Sequence, residues 1–155
     1  KKIFLPQVML SAEAMREAFI KIKERIPADS VSNKGTIVIA TVKGDIHDLG
    51  KNIVSALLEN NGFKVIDLGK DIDKEEIIKA AIDNKADMIG LCSLMTTTIT
   101  QIDEVIAELN KSEYSTKIMI GGAVVTQEYA DNVGADAYAP DGVEAVEIAK
   151  KLINK

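Results

Sequence analysis

Thr36-Ile37-Val38-Ile39-Ala40-Thr41-Val42, followed at once by Lys43-Gly44-Asp45-Ile46-His47-Asp48-Leu49-Gly50, is the stretch that decides the fold. Its first seven residues are nearly all apolar or β-branched, with no in-out alternation. A short run of this kind suits a strand buried on both faces, and such strands belong to parallel sheets covered by helices. Similar runs recur at 64–68, 88–92, 117–121 and 135–138. Helical spacing of apolar residues separates them. Ile53, Leu57 and Leu58 mark one helix, Ile77, Ile78, Ala81 and Ile82 a second, and Ile102, Val105, Ile106 and Leu109 a third. Glu128, Tyr129 and Val133 suggest a shorter fourth, and Val143, Val146, Ala149 and Leu152 a fifth. Five alternations predict an α/β fold with an open, five-stranded parallel sheet and right-handed crossovers that place helices on both faces. Ligands of such sheets approach the carboxyl ends of the strands. The positions to inspect are therefore those after Val42, Leu68, Cys92, Ile120 and Tyr138.

Upstream, the rhythm differs. Ser11 is placed to cap a helix in which Met15, Ala18, Phe19 and Ile22 recur at helical spacing. Pro27 and Asn33-Lys34-Gly35 bound a linker. The expected division is a helical lead-in and linker over 1–33 and an α/β domain over 34–155.

Composition narrows the function. The chain has 155 residues, and 46% of them are hydrophobic, enough for a sizeable core. Nineteen basic residues against twenty-four acidic ones give a net charge of −5, which argues against nucleic-acid or anionic-membrane partners. Aromatic residues at 4% weaken any base-stacking surface. Cys92 is the single cysteine, so no disulfide forms within the chain, and a reducing, cytoplasmic setting is expected. No apolar run is long enough to span a membrane. The start, Lys1 to Pro6, lacks the apolar core and cleavage site of a signal peptide. A chain beginning at Lys1 rather than Met is expected to lack some upstream sequence.

The post-strand segments hold the candidate chemistry. The first places Asp45 two residues before His47, the only histidine. A neutral imidazole gives one nitrogen to a metal while its other N–H goes to a carboxylate, which fixes the tautomer and raises basicity. The alternative is a histidine bonded locally in a loop. Gly44 and Gly50 supply either special backbone angles and close ligand approach, or ordinary loop flexibility. The loop is neither GxGxxG nor a Walker loop, since Lys51 is followed by Asn52 rather than Ser or Thr. One histidine and one cysteine do not make a closed zinc site. A metal held by His47 needs most of its ligands from elsewhere, as a macrocycle with four nitrogens would provide.

After the third strand, Cys92-Ser93-Leu94-Met95-Thr96-Thr97-Thr98-Ile99-Thr100 groups hydroxyls that serve either a buried polar ligand or helix capping. No second histidine or base accompanies Cys92, so a buried strand-end thiol outweighs a nucleophile. Gly121-Gly122-Ala123 allows close approach of a bulky ligand or a tight turn. Asp141-Gly142 closes the same rim or starts the last helix. The acidic residues show no paired-carboxylate geometry for hydrolysis.

Together these motifs resemble a known family. Asp45-x-His47-x-x-Gly50 within 41–52 looks like the signature of cobalamin-binding domains, as in corrinoid proteins of methyltransferase systems and the cobalamin module of methionine synthase. Cys92-x-Leu94-x-Thr96 is similar to that family's Ser-x-Leu-x-Thr, with Cys92 in place of serine, and Gly121-Gly122 is similar to its next signature. The resemblance covers essentially the whole chain and implies a flavodoxin-like (Rossmann-like) domain preceded by the remnant of a helical cap. It implies that His47 is the lower axial ligand of cobalt, displacing the dimethylbenzimidazole tail, that Asp45 accepts the second imidazole N–H, and that Thr98 extends this relay. Cys92 and Thr96 would contact the inserted tail, and Gly121 and Gly122 would line its slot. Gly44, Ile46, Asp48, Gly50, Leu94, Tyr138 and Asp141 would complete the cofactor contacts. From the cap, Leu5, with Val8 and Met9, would cover the upper corrin face.

The cofactor implied is cobalamin, as methylcobalamin or a related corrinoid. The function implied is methyl carriage between a substrate-specific methyltransferase and an acceptor methyltransferase, with a reductive activase as a further partner. Such a chain is a subunit or module, not a complete enzyme alone. A carbon-skeleton mutase domain and a non-enzymatic corrinoid regulator or storage protein are the alternatives. The donor stays open among methanol, methylamines, methoxyaromatics and methyl-folate.

Overall fold

The computed structural model describes Gln7, Leu10, Ser11, Ala14 and residues 34–153. Leu5, Val8 and Met9 lie outside the described residues. Contacts divide the chain into two compact units, Lys1–Ser32 and Asn33–Lys155. In the first, Gln7, Leu10, Ser11 and Ala14 are helical, and Ser11 Oγ donates to the Gln7 carbonyl at 2.8 Å. Ser11 is therefore inside a helix and not its cap; its hydroxyl finds the carbonyl one turn back.

In the second unit strands and helices alternate: β1 Thr36–Thr41, α1 Leu49–Asn60, β2 Lys64–Asp67, α2 Lys74–Asp83, β3 Met88–Cys92, α3 Thr100–Lys111, β4 Lys117–Gly121, α4 Gln127–Val133, β5 Ala137–Ala139 and α5 Gly142–Leu152. The sheet is wholly parallel, in the order β2-β1-β3-β4-β5. It is the five-stranded, helix-flanked, flavodoxin-like sheet expected from the sequence. The last strand starts later than the apolar run at 135–138 suggests. Ala135 instead closes α4, its N–H donating to the Ala130 carbonyl at 3.0 Å behind the left-handed Gly134 (φ +77°).

Register sets the position of the site. Thr41 pairs with Cys92, Cys92 with Gly121, and Gly121 with Ala139. Four strands thus end in one row, and their outgoing loops share one edge. β1 and β3 are neighbours whose connections leave in opposite directions, to β2 and to β4. A crevice opens at that divergence.

Alternate residues serve opposite faces. Val38, Ala40, Ile89, Leu91, Ile118 and Ile120 pack with apolar residues of α2, α3 and α4. Ile37, Met88 and Met119 pack with Leu58 of α1 and Ala145, Val146 and Ala149 of α5. On this second face side-chain volume falls toward the carboxyl edge. Along β3 it runs Met88, Gly90, Cys92, and along β4 Met119, Gly121. Large residues close the core at one end of the strands, and small ones leave space at the other.

Candidate corrinoid site

That space is a cavity of about 850 Å³ between the second face of the sheet and helices α1 and α5. Its inner wall includes Ile39, Gly90, Met119, Val54 and Ala145, and His47, Leu94 and Asp141 border it at the loop edge.

Asp45 organises the loop edge. Its side chain is wholly buried. Oδ1 accepts from the His47 backbone N–H at 3.0 Å and stands 2.8 Å from His47 Nδ1. Oδ2 accepts from the Leu94 backbone N–H at 2.7 Å and from Thr98 Oγ1 at 3.0 Å. Burial alone would raise this carboxyl, but the four hydrogen bonds outweigh it and hold the pKa at about 2. An ionised carboxylate only accepts, so Nδ1 carries the imidazole proton and faces Asp45. The other ring nitrogen, Nε2, keeps its lone pair for a ligand. The His47 side chain is 47% exposed, and its backbone carbonyl accepts from Thr41 Oγ1 at 3.0 Å. The backbone of Asp45 is tied as well: its N–H donates to Val42 and its carbonyl accepts from the Asp71 N–H at 3.0 Å. Asp71, itself at φ +59°, also takes the Gly44 N–H on its carboxylate at 2.8 Å.

The other expected residues divide. Gly44 has φ +79°, a left-handed angle that favours glycine. Gly50 sits in the first turn of α1 with nothing within 4 Å of an added Cβ, so no internal contact requires glycine there. A Cβ on Gly122 (φ +126°) would stand 1.9 Å from the Ser93 carbonyl oxygen, and one on Gly121 2.9 Å from that of Ala139. Both glycines border the cavity, but close packing of the strand ends already demands them. Asp141 borders the cavity and also caps α5, accepting from Val143 and Glu144 N–H at 2.9 Å. Tyr138 borders it too, yet its side chain packs with the core on the opposite face. Cys92 lines the cavity, with burial raising its thiol to about 12. Ile46, Asp48 and Leu94 rim it beside His47, with Ile46 and Leu94 exposed. Thr96 is exposed and is not among the lining residues.

Sequence reasoning missed Ser93 and Lys51. Ser93 is buried, 3.0 Å from Thr98 Oγ1, and continues the hydroxyl chain behind Asp45. The run of hydroxyls over 93–100 does not single it out. Lys51 is a buried cation one turn into α1 whose Nζ donates to both carboxylate oxygens of Asp67 on β2 and to Asn52. No motif pointed to that pair.

The residues fit a corrinoid. Among the described residues no group of three or more His, Cys, Asp or Glu side chains could hold a metal ion by itself. One oriented imidazole beside a deep cavity instead suits a metal whose other ligands arrive with it and which trails a long substituent. Also among the described residues, no helix is long and apolar enough to cross a membrane.

Fold and site together define a doubly wound cofactor-binding domain with a protein imidazole at its open edge. Residues 35–149 match the model of the B12 binding domain. The chain is 48% identical to dimethylamine corrinoid protein 3 of Methanosarcina mazei, over 98% of its own length and 93% of that protein's. It is 47% identical to dimethylamine corrinoid protein 1 of Methanosarcina acetivorans, over 98% and 73%. It superposes on the methanol:cobalamin methyltransferase complex MtaBC of Methanosarcina barkeri with a TM-score of 0.84 and 39% identity, covering 97% of this chain and 58% of that one. The chain belongs to the family of B12-binding corrinoid proteins.

Proposed function

We propose that the chain carries a methyl group on a corrinoid between two partner methyltransferases. The observation that carries the reading is the 2.8 Å contact from His47 Nδ1 to the buried Asp45 carboxylate, which leaves Nε2 free at the cavity edge. When bound, the corrinoid supplies the cobalt that accepts and releases the methyl group. His47 Nε2 would hold the cobalt of the bound corrinoid. Asp45 holds the imidazole in the ligating tautomer, and its charge makes the ring a stronger donor. Thr98 and Ser93 keep the carboxylate fixed. The cavity between the sheet and helices α1 and α5 would receive the nucleotide tail. The exposed Ile46 and Leu94 beside His47 would offer the corrinoid apolar support.

The relatives point to the donor. The two highest identities quoted above belong to dimethylamine corrinoid proteins and exceed that to the methanol system. A methylamine is the donor proposed here, loaded by a dedicated methyltransferase, with a thiol or folate-type acceptor on the second partner and a reductive activase to restore the cofactor.

The test is electron paramagnetic resonance of the Co(II)-cobalamin complex with uniformly nitrogen-15-labelled protein and unlabelled cofactor. An axial nitrogen-15 coupling is expected, absent in His47→Ala. An axial nitrogen-14 coupling from the cofactor base would overturn the histidine ligation. Retained corrinoid with no methyl accepted from any donor would favour a storage or regulatory protein instead.

A further inference from the structure

The inner end of the cavity has almost no hydrogen-bonding capacity. Its side chains, Ile39, Val54, Gly90, Met119 and Ala145, carry no polar group. The backbone there belongs to interior strands, with Ile39 paired to Gly90 and Gly90 to Met119. Several polar side chains on the border already have partners. Lys51 donates to Asp67 and Asn52, Ser93 meets Thr98, and Asp141 caps α5. Among the described residues no buried side-chain nitrogen or oxygen lacks a partner. Cys92 adds a thiol on the cavity face of β3, neutral and a weak hydrogen-bonding group.

We propose that this wall selects corrinoids by the base at the end of the tail, accepting an apolar arene such as dimethylbenzimidazole and rejecting an aminopurine such as adenine. Cys92 is the residue that sets the wall's polarity. The proposal rests on the reading that the tail occupies the cavity. Adenine carries two more ring nitrogens than benzimidazole and an exocyclic amine. Each loses water on entry, and none finds a partner at the inner end. The methyl groups of dimethylbenzimidazole meet Ile39, Val54 and Met119 instead. A site without partners penalises added polar groups, and the expected preference is about ten-fold or more.

Three ligands in the same aquated Co(III) state test this by equilibrium dialysis: cobalamin, its adenine-tailed analogue and tail-less cobinamide. Adenine is the weaker cobalt ligand and leaves the metal more readily, so any cost of base release works against the expected order. Cobalamin binding tightest, with the adenine analogue at least ten-fold weaker, is the expected result. Cobalamin binding no better than cobinamide would remove the tail from the cavity and strike the underlying reading. Cobalamin far tighter than cobinamide but equal to the adenine analogue would leave that reading intact and overturn the selectivity alone. Cys92→Ser, which adds a stronger donor and acceptor, should shrink the ratio between the two tailed ligands. Cys92→Ala should hold it. An unchanged ratio in Cys92→Ser would overturn the part given to Cys92.

Discussion

Asp45 is a buried carboxylate with every hydrogen-bonding site used, and its worth depends on pH. Its folded pKa of about 2 lies below the ordinary 3.8, so its ionised form stabilises the fold. That contribution, about 2 kcal/mol, is complete above the ordinary value and is lost as pH falls through about 2. Asp45→Asn should cost about 3 kcal/mol near neutrality, since an amide turns a donor toward at least one of the groups it must accept from. In urea unfolding across pH 7 to 2.5, the gap between wild type and this variant should narrow below about pH 4. A gap independent of pH would mean that the charge is not what stabilises. Cys92 is the second residue-scale case. With its thiol raised to about 12, it should resist iodoacetamide at pH 8 in the native chain and react on unfolding, as read by mass spectrometry. The Asp45–His47 pair could be read from sequence because both partners lie in one short loop. Ser93 could not, because its partner Thr98 is recognised only once β3 and its outgoing loop bring both hydroxyls behind Asp45.

Among the elements, the strands were legible from residue patterns, whereas a slot was expected only through the family resemblance. Unbroken β-branched runs such as 36–42 leave few alternatives to a doubly buried strand. The cavity arises from Gly90, Cys92 and Gly121 sharing one face, a pattern split across two strands and invisible until register is known. Two glycines at the edge make opposite predictions. Gly122→Ala must drive a Cβ into the Ser93 carbonyl at a left-handed backbone angle and should cost about 3 kcal/mol or more. Gly50→Ala places a methyl in open space in a helix and should raise the stability of the cofactor-free chain by about 0.5 to 1 kcal/mol. Gly50 also lines the cavity beside His47, so cobalamin affinity should fall. Thermal melts of the cofactor-free variants and dialysis with cobalamin separate the two effects. Gly50→Ala lowering stability would mean that the helix, not the ligand, needs that glycine.

For the whole molecule, ligand binding and folding are linked. A ligand at about a thousand times its dissociation constant adds about 4 kcal/mol to the folded state. Cobalamin should therefore raise the melting temperature more than cobinamide does, because only the former carries the tail proposed to fill the cavity. Val54→Phe, with a cavity of about 850 Å³ beside it to receive the ring, should erase that difference while leaving the cobinamide shift in place. Equal shifts in wild type would place the tail outside. The net charge of −5 kept nucleic acid and anionic lipid out of the sequence reading, but it does not identify the partners, which recognise local surface rather than total charge.

Asp45 is gripped from three crossovers at once: by His47 after β1, by Asp71 after β2, and by Leu94 and Thr98 after β3. The aim of the imidazole is thus written in segments up to 53 residues apart. A designer who transplanted only the loop over 42–48 into another doubly wound scaffold would import the ligand without its anchorage. The smallest portable unit is the first three strands with all their outgoing turns, and grafts should be planned at that size.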